Sequence, residues 1–503
     1  MNSPGNIKAF GKGFPLHCFL LPLFFVLTTY NRFAGLLTVS ELFKAWLLIS
    51  IGMLVAFFLF YLIYKNKINA GIAATLTGIL YLFFGDIKQA LASSSILHFI
   101  SHYKILLPLL ALLTLLLTWR LYKSRPLAKG NYFLNLLFII YLGIEAWNLL
   151  RLEKYSSQQN ENISLAAPSN SMGQPPGIYY IVPDSYPSSD FQKKVLGIKN
   201  NEFDSLLFAR GFYIVEQPKS NYNNTPFSIA STFQMDYHSW LHQVETTKPY
   251  HYNRAILKVK ESPVISRLMD LGYSLNNLSI FDLPGQPSIQ KENFLSVNPS
   301  QIIYYNMLWN CLERDLGAHL FPAAAERLIN QQKKQKRLLW GAFRDYNQAV
   351  LDSLASKPET NNSAGPQFTY AHLEMPHAPY FFDSSGKAYP DDLVYGPDML
   401  RNKNRFSNYT AYTNSKLTAV VDSILLYSKG RDIIIIQSDH GINSFDKRRK
   451  NDVFSNYTAI YFPDRDYKEL YPAMSNVNTF RIIFNKYFGQ QLPLLKDSTI
   501  YLE

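Results

Sequence analysis

Four short strings hold the residues whose types and spacing suit chemistry: Asp184 in IVPDSY, Thr225 in NNTPFS, His372 and His377 in AHLEMPHAPYFF, and Asp439 with His440 in QSDHG. Carboxylate oxygens and imidazole nitrogens together suit zinc, manganese or a similar divalent ion. An adjacent Asp-His pair is common by chance and alone reads as a strand-end cap. What sets Asp439 and His440 apart is the run of four isoleucines before them, which aims both polar groups out of a buried strand. Gly441 beside them allows a sharp turn. Thr225 precedes Pro226 and an apolar-periodic stretch, the pattern of a helix start with Thr as N-cap and Pro at the first helical position. Two roles stay open for it. It is a plain cap, or a hydroxyl facing unpaired N–H groups that hold a phosphate or sulfate, with a nearby metal favouring its alkoxide.

Positioning these side chains requires strands that end beside one another. Short β-rich runs occur at 178–182, 212–216, 367–373, 432–438 and 457–462, and helical patterns alternate with them, notably over 321–356 and 413–428. Runs apolar on both faces and separated by helices predict an α/β domain with a mostly parallel sheet covered by helices on both faces. In such sheets function gathers at the carboxyl ends of strands. Asp184, the His372 and His377 pair, and the Asp439 and His440 pair all fall there.

At 503 residues the chain is too long for one core. Its mean hydropathy of -0.08 averages a very apolar first 150 residues and a polar remainder. Five apolar segments lie near 15–31, 42–64, 69–85, 104–120 and 131–150. A spanning helix needs about 20 such residues, so residues 1–150 are expected to form a transmembrane domain of about five helices. No small-residue cleavage site follows the first segment, which argues against a cleaved signal peptide. Lys8, Lys12, Lys65, Lys67, Arg120, Lys123, Arg125 and Lys129 fall on one side of this arrangement, so the N-terminus is expected in the cytoplasm. An odd number of spans then places a catalytic domain over 177–503 outside, periplasmic or extracellular, after a Ser-, Asn-, Gln- and Pro-rich linker over 151–176. The net charge of +12 is scattered rather than gathered with stacking aromatics, which excludes nucleic acid and points to the bilayer surface and anionic substrates. The only two cysteines, Cys18 and Cys311, cannot form a disulfide framework.

Taken in order, the four motifs resemble the alkaline phosphatase superfamily, specifically its membrane-anchored sulfatase-like branch with the lipoteichoic acid synthases and lipid A phosphoethanolamine transferases. The resemblance covers about residues 177–485. It implies that Asp184, Thr225, Asp439 and His440 surround one divalent metal, with Thr225 as covalent nucleophile. It implies that His377 contacts the transferred group or assists the leaving group. His372 is either a substrate contact or a satisfied core histidine. Asn478, Phe480 and Arg481 resemble a C-terminal element read as packing. Three departures narrow the chemistry. No C/S-x-P-x-R string is present, which speaks against formylglycine sulfate-ester hydrolysis. Asp184 stands where the transferases usually have Glu. No Asp-x-x-x-His string for a second ion stands among these four motifs. The implied reaction is transfer or hydrolysis at a phosphodiester, or a sulfate, of a cell-envelope lipid or glycan. A different reading is a catalytically silent, membrane-tethered domain of the same fold that serves in envelope assembly or binding. No protein partner is indicated. His238 and His242 read as surface histidines.

Overall fold

The computed structural model describes residues 13–159, 175–197, 202–241, 246–290, 298–320, 322–357, 365–396, 400, 402–442 and 449–503. Most of the expected linker (160–174) and His242 lie outside the described residues. The chain divides into two compact units, Met1–Asn162 with Val297–Gln331, and Ile163–Ser296 with Gln332–Glu503.

The first unit begins with six helices: α1 (Leu16–Arg32), α2 (Val39–Tyr64), α3 (Lys67–Leu82), α4 (Phe84–Ala92), α5 (Tyr103–Lys123) and α6 (Ala128–Gln159). Thr38 and Glu41 cap the start of α2 reciprocally, and Lys65 stops it in a left-handed conformation. Apolar side chains such as Leu48 and Phe58 stand exposed along α2, as lipid-facing residues do. All five expected apolar segments are helical, but among the described residues three helices, α2, α5 and α6 as far as Arg151, are long and apolar enough to cross a membrane. The α3 and α4 pair, bent by 62°, makes a fourth if counted as one broken span. The physical reason is length: the 17 residues of α1 rise about 25 Å at 1.5 Å each, short of the ~30 Å hydrocarbon core. Helix α1 is instead fixed by polar contacts. His17 is fully buried, with Nδ1 2.6 Å from Thr75 Oγ1 and Nε2 3.2 Å from Asn131 Oδ1, and its backbone N–H donates to Asn135 Oδ1 at 2.9 Å.

Residues 297–331, read from sequence as part of the catalytic region, cluster with this first unit. The Asn306 carbonyl accepts from Gly85 N–H at 2.8 Å. Cys311 packs between Phe84 and Leu106. Asp315 accepts from the Tyr103 hydroxyl at 2.6 Å and pairs with Lys88 at 3.3 Å.

The second unit holds one six-stranded sheet: β1 (Ile178–Pro183), β2 (Tyr213–Ile214), β3 (Ser274–Leu278), β4 (Gln367–Leu373), β5 (Ile433–Gln437) and β6 (Thr458–Tyr461), in the order β2-β6-β5-β1-β4-β3. Strands β3, β4, β1 and β5 pair in parallel, whereas β6 runs antiparallel to β5 and β2 antiparallel to β6. Every residue of β1 and β5 is buried, which requires helices on both faces and matches the sequence expectation. One face is an aromatic cluster. Tyr180 of β1 meets Phe480 at 5.2 Å, and Phe233 meets Tyr370 of β4 at 4.9 Å, edge to face. Phe480 is therefore packing, as read from the sequence. Asn478 and Arg481 are packing too: Asn478 Nδ2 donates to the Leu495 carbonyl at 2.8 Å, and Arg481 Nε to the Met235 carbonyl at 2.8 Å. Strand β3, SLNNL, was not visible from sequence because its asparagines break the apolar signal, which an edge position tolerates.

His238 is not at the surface. It is 3% exposed, stacked on Tyr222 at 4.8 Å, with Nε2 2.8 Å from the Phe227 carbonyl. Burial first, and then the charges of Lys258 and Arg254, lower its pKa from 6.5 to about 4, against the pull of the Phe227 carbonyl. The folded protein thus refuses a proton that the unfolded chain accepts. Stability is full above pH 6.5 and falls as the pH drops toward 4, by about 2 kcal/mol at pH 5 at 1.36 kcal/mol per pKa unit. We expect melting of the full chain in detergent to fall between pH 7 and pH 5, and His238→Gln to lose measurably less over the same interval. Equal losses would remove His238 from the account.

Candidate metal centre

The three central strands carry the centre at their carboxyl ends. In the β1–β4 register Val182 faces His372 and Pro183 faces Leu373, and the Asp184 N–H then donates to the Leu373 carbonyl at 2.8 Å. On the other side Ile181 faces Ile436 of β5. Continuing that parallel register brings Asp439 level with Asp184. The result is that single ligand atoms of Asp184, His372 and Asp439 all lie within 4.8 Å of one another, and all three residues are buried.

His440 and Thr225 extend this group. His440 Nε2 lies 3.3 Å from Asp439 Oδ2 and 3.3 Å from Thr225 Oγ1. Its Nδ1 lies 2.6 Å from the Gly441 carbonyl, which assigns the proton to Nδ1 and leaves the Nε2 lone pair facing the threonine and the aspartate. His372 Nε2 lies 3.7 Å from Asp184 Oδ2, with Nδ1 3.2 Å from the Tyr370 hydroxyl. The Tyr346 hydroxyl holds the His372 carbonyl at 2.6 Å. His372 thus has a ligand geometry that its motif did not assign to it. His377 stands apart from the three converging residues. It is half-buried, its Nδ1 has no hydrogen-bond partner, and its influence on the site is electrostatic.

Thr225 opens the helix Thr225–Gln234 rather than preceding it. Asn224 occupies the cap position without a side-chain cap bond, and Pro226 follows Thr225. The start is therefore one residue earlier than the sequence pattern suggested, and the threonine hydroxyl is turned to His440 instead of capping.

The Ser438-Asp439-His440 backbone is held from three sides. The Asp439 carbonyl accepts from Ser228 Oγ at 2.5 Å, the Ser438 carbonyl from Asn456 Nδ2 at 2.7 Å and Asn476 Nδ2 at 3.0 Å, and the His440 carbonyl from Ser438 Oγ at 2.5 Å. Ser185 adds its N–H to Asp439 Oδ1 at 3.2 Å and its hydroxyl to Asp184 Oδ1 at 2.8 Å. To do so it adopts a φ of 58°, a left-handed conformation costing a non-glycine residue roughly 1–2 kcal/mol. Gly441 does not supply the expected turn: its φ is not positive. It is glycine because a Cβ would fall 2.6 Å from the Ser455 carbonyl oxygen.

Burial alone would raise the Asp184 carboxyl, but the charge of His377, the neighbouring His372 ring and the charge of His440 hold it well below the usual carboxylate range. Burial would lower His440, and Asp439 and Asp184 outweigh it to raise its pKa. Glu374 is a third buried carboxyl here, unnoticed in the sequence. Burial, then Asp184 and Asp439, push it well above its ordinary range.

Among the described residues, His372 Nε2 and Asp439 Oδ2 are buried without a hydrogen-bond partner. Nitrogen and oxygen donors left empty at the meeting point of a ligand set fit a divalent cation. Asp184, His372, Asp439 and His440 are the residues that would hold it, with the Thr225 hydroxyl beside them.

No protein-family model matches the chain, and no curated protein matches it. Among solved structures it is similar to the C-terminal periplasmic domain of EcEptC from Escherichia coli, at 10% identity over 67% of this chain and 93% of that one, with a TM-score of 0.38. It is also similar to a protein in the alkaline phosphatase superfamily from Vibrio parahaemolyticus, at 13% identity over 64% and 68%, with a TM-score of 0.36. A third is the C-terminal periplasmic domain of phosphoethanolamine transferase EptC from Campylobacter jejuni, at 13% identity over 64% and 92%, with a TM-score of 0.33. The α/β architecture implied by the motif resemblance is the one observed in this chain's own sheet.

Two substitutions probe the centre. His372→Ala is expected to weaken zinc binding at least about 10-fold in competition with a chromophoric chelator, while unchanged affinity would make it a core histidine. Gly441→Ala should cost about 1–3 kcal/mol of stability, because the atom its Cβ meets is backbone and cannot swing away. Denaturant melts check this.

Proposed function

We propose that this membrane protein transfers or hydrolyses phosphoryl groups of anionic cell-envelope lipids or glycans, with its catalytic unit outside the cytoplasm and Thr225 as nucleophile. The observation that carries the reading is the buried convergence of Asp184, His372 and Asp439, with His440 touching both Asp439 and Thr225. A structural cap would have no use for a threonine hydroxyl turned away from its own helix and toward that centre.

The Thr225 oxygen attacks the phosphorus of a phosphodiester. The new Oγ–P bond forms as the bond to the leaving alcohol breaks, giving a phosphothreonine that water or an acceptor hydroxyl resolves. A bound divalent cation would supply charge stabilisation to the phosphoryl oxygens and favour the threonine alkoxide. The start of Thr225–Gln234, where Asn224 makes no side-chain cap bond, would add its positive helix end to the same developing charge. His377, whose ring nitrogen Nδ1 is free, gives the leaving alcohol its proton and takes one from the incoming hydroxyl. A sulfate is held by the same groups, but without a formylglycine string its hydrolysis lacks the usual nucleophile. Phosphoryl transfer is therefore the reading we take.

On a chromogenic phosphodiester, Thr225→Ala should lower turnover by ~10³-fold or more while keeping its metal, and removal of metal by chelation should abolish turnover until zinc or manganese is restored. Normal turnover in Thr225→Ala would overturn the nucleophile assignment. Wild-type protein that takes up no divalent metal would favour the silent, tethered domain.

A further inference from the structure

The chain enters Thr225 through a segment, 219–224, that is held bond by bond. Lys219 N–H donates to the Met474 carbonyl at 3.2 Å, the Lys219 carbonyl accepts from Asn476 N–H at 3.1 Å, and Ser220 N–H donates to the Phe454 carbonyl at 3.0 Å. Asn221 is tied through its side chain. Its Oδ1 accepts from Val477 N–H at 2.8 Å, and its Nδ2 donates to the Ser498 carbonyl at 2.9 Å. The short helix Asn476–Asn478 that anchors this segment also anchors the other arm of the centre, because Asn476 Nδ2 donates to the Ser438 carbonyl at 3.0 Å. The Thr225 arm and the His440 arm are thus referenced to one rigid piece.

Between Asn221 and Thr225 a second segment, 498–502, takes over. Ile500 N–H donates to the Asn221 carbonyl at 2.8 Å. Asn223 then closes on Leu502 with both halves of its amide: Oδ1 accepts from Leu502 N–H at 2.8 Å, and Nδ2 donates to the Leu502 carbonyl at 3.0 Å. Both residues are buried. A planar amide that pairs with the N–H and the C=O of one residue imitates a backbone ladder, and it fixes the orientation of the chain as well as its place. Asn224 adds no such tie, since it occupies the helix cap without a side-chain cap bond. Among the described residues Asn223 is therefore the side-chain anchor nearest to Thr225 in the entering chain. Slack at Asn223 passes directly into the 3.3 Å between Thr225 Oγ1 and His440 Nε2.

We infer that Asn223, clamped by Leu502, is a positioning residue that sets the reach of the Thr225 hydroxyl toward His440 and the metal centre. The inference rests on Thr225 as the nucleophile, and Asn223 acts only through it. Misplacing a reacting atom by an ångström costs about 100-fold in rate, so the value of the clamp lies in the transition state. A clamp that served the fold alone would change stability when cut and leave the rate of each folded molecule untouched. One that positions the hydroxyl lowers kcat and spares KM and metal affinity.

The test uses the full-length protein in detergent, loaded with zinc for turnover of a chromogenic phosphodiester and with cobalt(II) for its visible spectrum, which reports the groups around the ion. Asn223→Ala should lower kcat per bound zinc at least about 10-fold, with KM and zinc affinity within about twofold of wild type. A chain ended after Tyr501, which lacks Leu502 and Glu503, should lose as much, and combining the two changes should cost nothing further, because both cut one pair. Lys450→Ala, which removes the Glu503 ion pair and leaves the Leu502 bonds in place, should keep the wild-type kcat. The cobalt spectrum of Asn223→Ala should move from that of wild type toward that of Thr225→Ala. An unchanged kcat in Asn223→Ala with a lowered melting temperature makes the pair a staple of the fold and overturns the proposal, as do losses that multiply in the combined variant. If the shortened chain fails to fold, Asn223→Asp decides, since it keeps the acceptor for Leu502 N–H and loses the donor: a kcat above that of Asn223→Ala supports the clamp, and one at or below it overturns it. A wild type that turns over no phosphodiester removes the enzymatic reading, and the cobalt spectra then decide the clamp: a shift in Asn223→Ala toward Thr225→Ala upholds it, and a wild-type spectrum overturns it.

Discussion

Two carboxylates, Asp184 and Asp439, are buried side by side at the ends of adjacent central strands, and the rest of the second unit is arranged around that like-charge pair. Their ligand atoms lie within 4.8 Å. At an effective dielectric near 20 such a pair repels by about 3 kcal/mol, before any cost of desolvation. Parallel pairing enforces the approach, because β1 lies between β4 and β5 and both neighbours run in its direction. Partial compensation is local: the Ser185 N–H and hydroxyl reach one oxygen on each carboxylate, and His372 and His440 stand against the others. Compensation stops short at Asp439 Oδ2 and His372 Nε2. A fold that spends backbone strain at Ser185 to hold two carboxylates together, with partnerless atoms of Asp439 and His372 beside them, fits a divalent cation.

The precision of this centre comes from backbone constraint more than from side-chain contact. Asp439 and His440 do not choose their own positions, because Ser228, Asn456 and Asn476 hold the carbonyls around them and Ser455 closes the space beside Gly441. None is an immediate neighbour: Ser228 stands 211 residues away, Asn476 38 and Asn456 18. Together they convert a strand end, ordinarily the loosest part of a strand, into a segment with few alternative conformations. Rigid placement matters most where the function requires atoms within tenths of an ångström.

The same remoteness explains what the sequence could and could not disclose. Asp439 and His440 were legible because four isoleucines before them signal a buried strand, and Asp184 because IYYIV does the same. Thr225 was ambiguous locally, since Thr-Pro serves a cap and a nucleophile equally, and only the folded chain shows its hydroxyl turned to His440 rather than capping. His372 stayed open between a substrate contact and a core histidine because its surroundings depend on the β1–β4 register, a pairing across some 190 residues that no local pattern encodes. Glu374, Ser185, Ser228, Asn456 and Asn476 carry no motif at all. In the first unit, the apolar segments were plain from composition. Their number as spans was not, because α1 and α3 are short and the stretch 297–331 that joins this unit is not apolar enough to announce itself.

Whether the centre is structural or catalytic turns on its open side. Structural metal sites are closed by four protein ligands, whereas catalytic ones keep a position for water or substrate. Here the strands close the floor, and Asp439 and His372 have no exposure at all. Thr225 retains 9% exposure and His377 is half-buried. A silent domain kept for assembly would gain stability by replacing two buried carboxylates with apolar residues of similar size, since a buried ionic cluster is seldom more stable than a well-packed apolar one. In the proposed reaction the cost of this arrangement is met by what the Thr225 hydroxyl and the partnerless His377 Nδ1 would do there, since local instability is tolerated where it serves a function.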